Sequence, residues 1–186
     1  MNIYKKSLKD IYSYIDLTKN IKRFNNNFKI NGYHDTVLDH TARVTFLATE
    51  LTSYLIEKHI DIDLLLLTRL CIFHDVGEVE TGDISGRVKD TNKGIRELLE
   101  KAEIKYLKKI LDQKFIDKLY FNKNIEFQLM KLADKYDVYL QMKYLREDFY
   151  KKSPQYKKIS KVLKHTLNKI ENMKIYKLYF KDILDF

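Results

Sequence analysis

The sequence predicts an all-α fold, and three observations support that class. Glycine and proline are scarce, with 5 Gly and 1 Pro in 186 residues, whereas β-sandwiches and barrels need frequent turns. Apolar residues recur at intervals of three and four in several long segments, and no segment sustains the alternation typical of strands. An apolar fraction of 45% is enough for a core, and the length favours one domain over residues 1–186.

The predicted helices follow from periodicity and from the residues that begin or end them. Asp35 or Thr36 can cap the second helix, and Pro154 suits the first turn of the last one. A polar, glycine-containing loop is predicted between His74 and Arg87. The helices are expected over about residues 4–19, 36–55, 62–74, 91–111, 125–150 and 154–180.

Charge and cysteine content narrow the protein class. The single cysteine, Cys71, cannot form an internal disulfide, and no apolar run approaches the ~18 residues of a membrane helix. No signal-peptide core is visible, so a cytoplasmic protein without a membrane partner is expected. The net charge is +9. Because lysine dominates and arginine is sparse, a solvated basic face is favoured over a nucleic-acid partner.

Polar residues interrupt three apolar helical stripes. His40 lies between Val37 and Val44 at helical spacing, and His74 with Asp75 closes the most apolar helix. Asp134 is four residues from apolar neighbours on both sides. An unpaired buried charge is costly. One divalent metal would satisfy all of these groups, because imidazole and carboxylate ligands suit Mn, Fe, Co, Ni or Zn.

Each interruption also has a simpler explanation when taken alone. His40 can be a hydrogen-bonded core histidine, and His74 can favour the negative end of a helix dipole. Asp134 can pair with Lys131 or Lys135. Two further carboxylates, Glu78 and Asp83, follow His74 and Asp75 closely, and a carboxylate beside a metal-bound water can orient it or carry its proton.

The order of these residues resembles that of the HD-domain metal-dependent phosphohydrolases. The sequence reads VLDH up to His40, FHDVGEVETGDI from Phe73, and KLAD up to Asp134. The extended match is similar to the bacterial 5′-deoxynucleotidase branch of that superfamily. It covers about residues 21–145 as the core of an HD-type helical bundle, and the C-terminal helix at about 154–180 adds little to it.

The resemblance implies a role for each matching residue. The substrate would be a deoxyribonucleoside 5′-monophosphate, and the protein would be a homodimer. One divalent ion is expected, and the candidates are Co, Mn, Fe, Ni, Zn and Mg. The metal ligands would be His40, His74, Asp75 and Asp134, the acid/base carboxylates Glu78 and Asp83, and the substrate-binding pair Arg23 and Phe24.

Some residues depart from the pattern of the branch and leave other functions open. The loop after Asp83 lacks the usual Thr-Pro element. Arg87 and Lys89 of that loop could instead bind additional phosphates, or be solvated charges. One alternative is therefore a deoxynucleoside triphosphate triphosphohydrolase that releases tripolyphosphate. Another is a non-catalytic basic helical binding module, which would bind without turnover.

Overall fold

The computed structural model describes residues 8–23, 34–84, 86–184 and 186, and only the backbone of Arg87. Within these ranges it contains nine α-helices and no β-strand, which confirms the all-α prediction. The helices are α1 (Leu8–Leu17), α2 (Val37–Glu57), α3 (Leu64–Phe73), α4 (Glu78–Thr81), α5 (Gly86–Thr91), α6 (Lys93–Leu107), α7 (Gln113–Tyr120), α8 (Ile125–Glu147) and α9 (Pro154–Glu171). A 3₁₀ turn spans Thr18–Asn20, and a π-helical turn spans Tyr176–Phe180.

Side-chain caps explain where several helices begin. Asn92, Asp112, Asn124 and Ser153 each accept a hydrogen bond from the backbone N–H three residues later, which satisfies an amide that the helix leaves unpaired. Pro154 occupies the first turn of α9, as predicted. No helix among the described residues is long and apolar enough to cross a membrane.

The chain forms two compact units. The first contains Met1–Ala42 and Ile72–Asn122. Its buried side chains include Leu107, Ile110 and Ile116, and the Phe73 and Phe115 rings meet edge to face with centroids 5.8 Å apart. This unit holds α4–α7, and α6 packs against both α4 and α5.

The second unit contains Arg43–Cys71 and Lys123–Phe186. Helix α8 packs along α9, and both contribute fully buried side chains such as Met142 and Ile159. The Phe180 ring of the π-helical turn is buried and lies 5.9 Å from the Tyr54 ring. The division into two units does not test the prediction of one domain over residues 1–186, which stays a prediction.

Several predicted boundaries differ from those observed. The first helix begins at Leu8 within the described residues, and the last ends at Glu171 rather than near residue 180. The polar segment expected as a loop contains the short helices α4 and α5. Helix α7 was not predicted, although Asp112 as a cap and the spacing of Phe115, Ile116 and Leu119 indicate it.

Candidate metal centre

His40 and His74 meet through their Nε2 atoms. His40 lies in the first turn of α2, which begins with a reciprocal cap: Thr36 N–H donates to Asp39 Oδ2, and Asp39 N–H donates to Thr36 Oγ1. His74 follows the last residue of α3. Both imidazoles are buried, and their Nε2 atoms are 3.3 Å apart. At that distance the two nitrogens must share either a proton or a cation.

The Asp75 carboxylate completes a triangle of possible ligand atoms. Its Oδ2 atom is 3.3 Å from His74 Nε2 and 3.5 Å from His40 Nε2. Metal–ligand bonds of about 2.1 Å place neighbouring ligand atoms about 3.0–3.4 Å apart in octahedral or tetrahedral sites. The three observed separations are therefore close to those around one ion, and two imidazoles with a carboxylate are a ligand set that first-row divalent metals accept.

Arg23 contacts the same carboxylate. Residues 21–23 run antiparallel to residues 35–37: Arg23 N–H donates to the Asp35 carbonyl at 2.9 Å, and Val37 N–H donates to the Ile21 carbonyl at 2.9 Å. Arg23 is 8% exposed. Its Nη1 lies 3.5 Å from Asp75 Oδ2, and its Nε lies 3.8 Å from Asp35 Oδ2. The pairing thus fixes a buried guanidinium beside the His-Asp pair.

Glu78 opens α4, three residues after Asp75, and it is buried. Burial raises the pKa of the Glu78 carboxyl well above its ordinary value, and the nearby charges of Asp75 and Asp83 raise it further. Lys89 and Arg23 act in the opposite direction. Asp83 is half-buried. The Glu78 carboxyl therefore lies near enough to both Asp75 and Asp83 for their charges to interact with it.

Of the two phosphate-binding residues predicted in the loop, Arg87 and Lys89, the structure describes the side chain of Lys89. Lys89 is directed at Glu78 and Glu103, with its Nζ 3.3 Å from a carboxylate oxygen of each. The Arg87 side chain and the whole of Phe24 lie outside the described residues. The sequence analysis missed Glu103 and Asp35 as partners of site residues, since neither belongs to a recognisable motif.

Asp134 lies on α8, in the second unit, and is buried. Lys135 Nζ is 2.7 Å from Asp134 Oδ2, so the lysine pairing considered as an alternative is present. Burial, together with the Asp134 charge, raises the pKa of the Cys71 thiol to about 12. Cys71 therefore stays a neutral core residue, as expected for a thiol on an apolar helix.

The fold is all-α, and a histidine of one helix, His40, lies against the His74–Asp75 pair that follows the next helix. This arrangement is that of an HD-domain protein. The chain belongs to the YfbR-like 5′-deoxynucleotidase family, whose profile matches residues 10–185. Membership makes it a metal-dependent phosphohydrolase, as the resemblance implied. A search of curated proteins found no match.

Solved structures share this fold. A conserved hypothetical protein from Pyrococcus furiosus is 25% identical with a TM-score of 0.76, and the match covers 94% of this chain and 95% of that one. A Pyrococcus horikoshii protein is 21% identical with a TM-score of 0.75, covering 95% of each chain. An HD-domain phosphohydrolase from Listeria innocua is 18% identical with a TM-score of 0.69, covering 95% of this chain and 87% of that one.

Proposed function

We propose that the protein hydrolyses deoxyribonucleoside 5′-monophosphates to deoxyribonucleosides and inorganic phosphate. The observation that carries the proposal is the triangle of His40, His74 and Asp75 ligand atoms, with separations of 3.3–3.5 Å, beside a buried arginine. A divalent ion held there would supply a hydroxide nucleophile and neutralise charge on the phosphate. Family membership supports the nucleotide substrate.

Asp134 is proposed as a further ligand of the same ion. Its support is its residue type, its burial on α8 and its match to the family motif. Its present partner, Lys135, is a surface-reaching cation that a more strongly charged divalent ion would replace. The identity of the ion is left open among Co, Mn, Fe, Ni, Zn and Mg.

The other residues have roles that follow from their chemistry. Arg23 is proposed to bind the substrate phosphate, since its planar donors suit two oxygens at once. Glu78 and Asp83 are proposed to orient the attacking water and to move its proton. For Glu78 the raised pKa favours holding and passing on a proton. Phe24 is proposed to pack against the sugar or base.

The contacts of Lys89 do not favour the triphosphate alternative. Its ammonium already has two carboxylate partners, which take up two of its three N–H donors and balance its charge. The homodimer and the cytoplasmic location remain part of the proposal, and they rest on the family resemblance and on the sequence.

The test is a nucleotide panel with protein loaded in turn with each candidate ion. We expect phosphate release from deoxyribonucleoside monophosphates, little from ribonucleotides, and no tripolyphosphate from triphosphates. His74→Ala should lose more than ~100-fold in kcat/KM, because even residues that only orient metal ligands contribute about 10- to 100-fold. The matched control is His165→Ala, an exposed histidine on α9, which should keep full activity.

A second readout is independent of turnover. The preferred ion should raise the Tm of the wild type and of His165→Ala by about 5 °C or more when it exceeds its Kd 100-fold, and it should not stabilise His74→Ala. Undiminished hydrolysis by His74→Ala would contradict the proposed site. Release of tripolyphosphate as the main product would replace the proposed substrate.

A further inference from the structure

Lys89 joins three helices of the first unit through its ammonium group. The side chain leaves α5 and donates to Glu78 Oε1 on α4 and to Glu103 Oε1 on α6, with both distances 3.3 Å. The two carboxylates are 8% and 9% exposed and Lys89 is 24% exposed. Burial alone would lower the pKa of Lys89, but the charges of Glu78 and Glu103 raise it. The ammonium therefore stays charged.

Glu103 is itself fixed from several sides. Tyr120 donates its hydroxyl hydrogen to Glu103 Oε2 at 3.2 Å, and Thr81 Oγ1 lies 3.4 Å from Oε1. The backbone of Gly77 comes so near that a Cβ there would lie 2.7 Å from the Glu103 Cβ. Both Glu103 oxygens thus have partners, and the side chain has little room to move. It is a rigid anchor for Lys89.

The two oxygens of Glu78 differ in their surroundings. Lys89 binds Oε1, whereas Oε2 is buried and has no hydrogen-bond partner among the described residues. A buried acceptor without a partner is energetically costly, so its presence beside the candidate metal centre indicates a place for a water or substrate group. One oxygen is held and the other is available.

We infer that Lys89 is a positioning residue: it holds Glu78 Oε1 so that Oε2 faces the reacting water, and Glu103 holds Lys89 in place. The inference rests on the function proposed above, in which Glu78 is an acid/base carboxylate. It is an alternative to the expectation from the sequence that Lys89 binds phosphate. The chain of contacts runs from Tyr120 through Glu103 and Lys89 to Glu78, and each contact is 3.2–3.3 Å long.

The two roles of Lys89 make opposite kinetic predictions. For a positioning residue, Lys89→Met should lower kcat about 10- to 100-fold, because a displacement of about 1 Å at a reacting group has that effect, while KM changes less than about 2-fold. For a phosphate ligand, KM should rise instead. The matched control is Lys93→Met, since the Lys93 side chain is 89% exposed and its removal should change neither constant.

A double-mutant cycle tests whether Lys89 acts through Glu78. In a Glu78→Gln background, Lys89→Met should cause little further loss of kcat, since residues that act as a unit are strongly non-additive. A purely structural lysine would give additive losses. Glu103→Gln retains the shape of the side chain, and it should lower kcat about 3- to 10-fold by weakening the anchor. This variant serves if Lys89→Met does not fold.

The outcomes separate the inference from the proposed function. All variants are assayed with whichever nucleotide the wild type hydrolyses, and the metal-induced rise in Tm is measured for each. Unchanged kcat, a raised KM or additive losses in an active protein would overturn the role of Lys89 and leave the proposed function standing. A wild type that hydrolyses no nucleotide would overturn the proposed function and the inference with it.

Discussion

Replacing Gly77 with alanine tests how closely α6 approaches the residue before α4. Gly77 has φ −60° and ψ −24°, which any residue can adopt, so the backbone conformation does not require glycine. The close approach of Glu103 does require glycine at this position. An alanine Cβ would lie 2.7 Å from the Glu103 Cβ and 3.2 Å from its Cα, whereas carbon atoms prefer about 3.5–4.0 Å. The backbone of α6 would therefore have to move.

Two effects of opposite sign determine the size of the change. Inserting a methyl group into a packed contact costs about 1–3 kcal/mol, and the loss of glycine flexibility in the unfolded chain returns about 0.4–1 kcal/mol. The net loss is about 1–2 kcal/mol. For a chain of this size each kcal/mol shifts Tm by about 2–4 °C. We expect Gly77→Ala to lower Tm by about 2–8 °C, measured by calorimetry on metal-free protein.

Gly94→Ala is the matched control, because the same chemical change has the opposite sign there. Gly94 lies in the first turn of α6, and a Cβ would meet only Asn92 Oδ1, at an ordinary distance of 3.5 Å. The variant should gain about 0.4–1 kcal/mol and melt slightly above the wild type. A Gly77→Ala protein that melts at or above the wild-type temperature would refute the close approach of Glu103.

Two further predictions concern buried charges. Because the folded-state pKa of Glu78 is raised, its stabilising contribution is complete below its unfolded pKa of about 4.3 and is lost as pH rises through the folded value. Glu78→Gln should therefore raise the Tm of metal-free protein by about 2 °C at pH 8 and give no gain near pH 4; a loss at pH 8 would contradict this. Asp137 is 2% exposed and accepts from Arg43 Nε at 2.7 Å. Arg43→Met should reduce the free energy of unfolding in urea by about 2 kcal/mol, less than for a fully buried pair, and Arg43→Lys by less; unchanged stability would show that the pair contributes nothing.

The long helices were predictable because their signals are local. The stripe of α2 and the caps of α8 and α9 follow from spacings of three and four and from Asn124, Ser153 and Pro154. Helices α4 and α5 span only four and six residues, too few to show a period. Their ends are fixed by packing against α6 rather than by sequence pattern.

The candidate site was predictable only in part. His40, His74 and Asp75 belong to a recognisable order of residues, and their ligand atoms lie 3.3–3.5 Å apart. Glu103 could not be found in this way, because Glu97 and Glu100 of the same charged helix look identical to it in the sequence. What distinguishes Glu103 is tertiary: the absence of a side chain on Gly77 lets its carboxylate reach Lys89.

The charges around the candidate metal centre give a reason, independent of the motif, for expecting a cation there. Among the described residues of the first unit, contacts and charge interactions join five carboxylates and two permanent cations. With neutral histidines these seven groups carry 2 − 5 = −3, or −2 whenever Glu78 holds a proton. Excess charge of one sign is costly in a poorly solvated site, and a single divalent ion would cancel it. The groups counted are Asp35, Asp75, Glu78, Asp83 and Glu103, with Arg23 and Lys89.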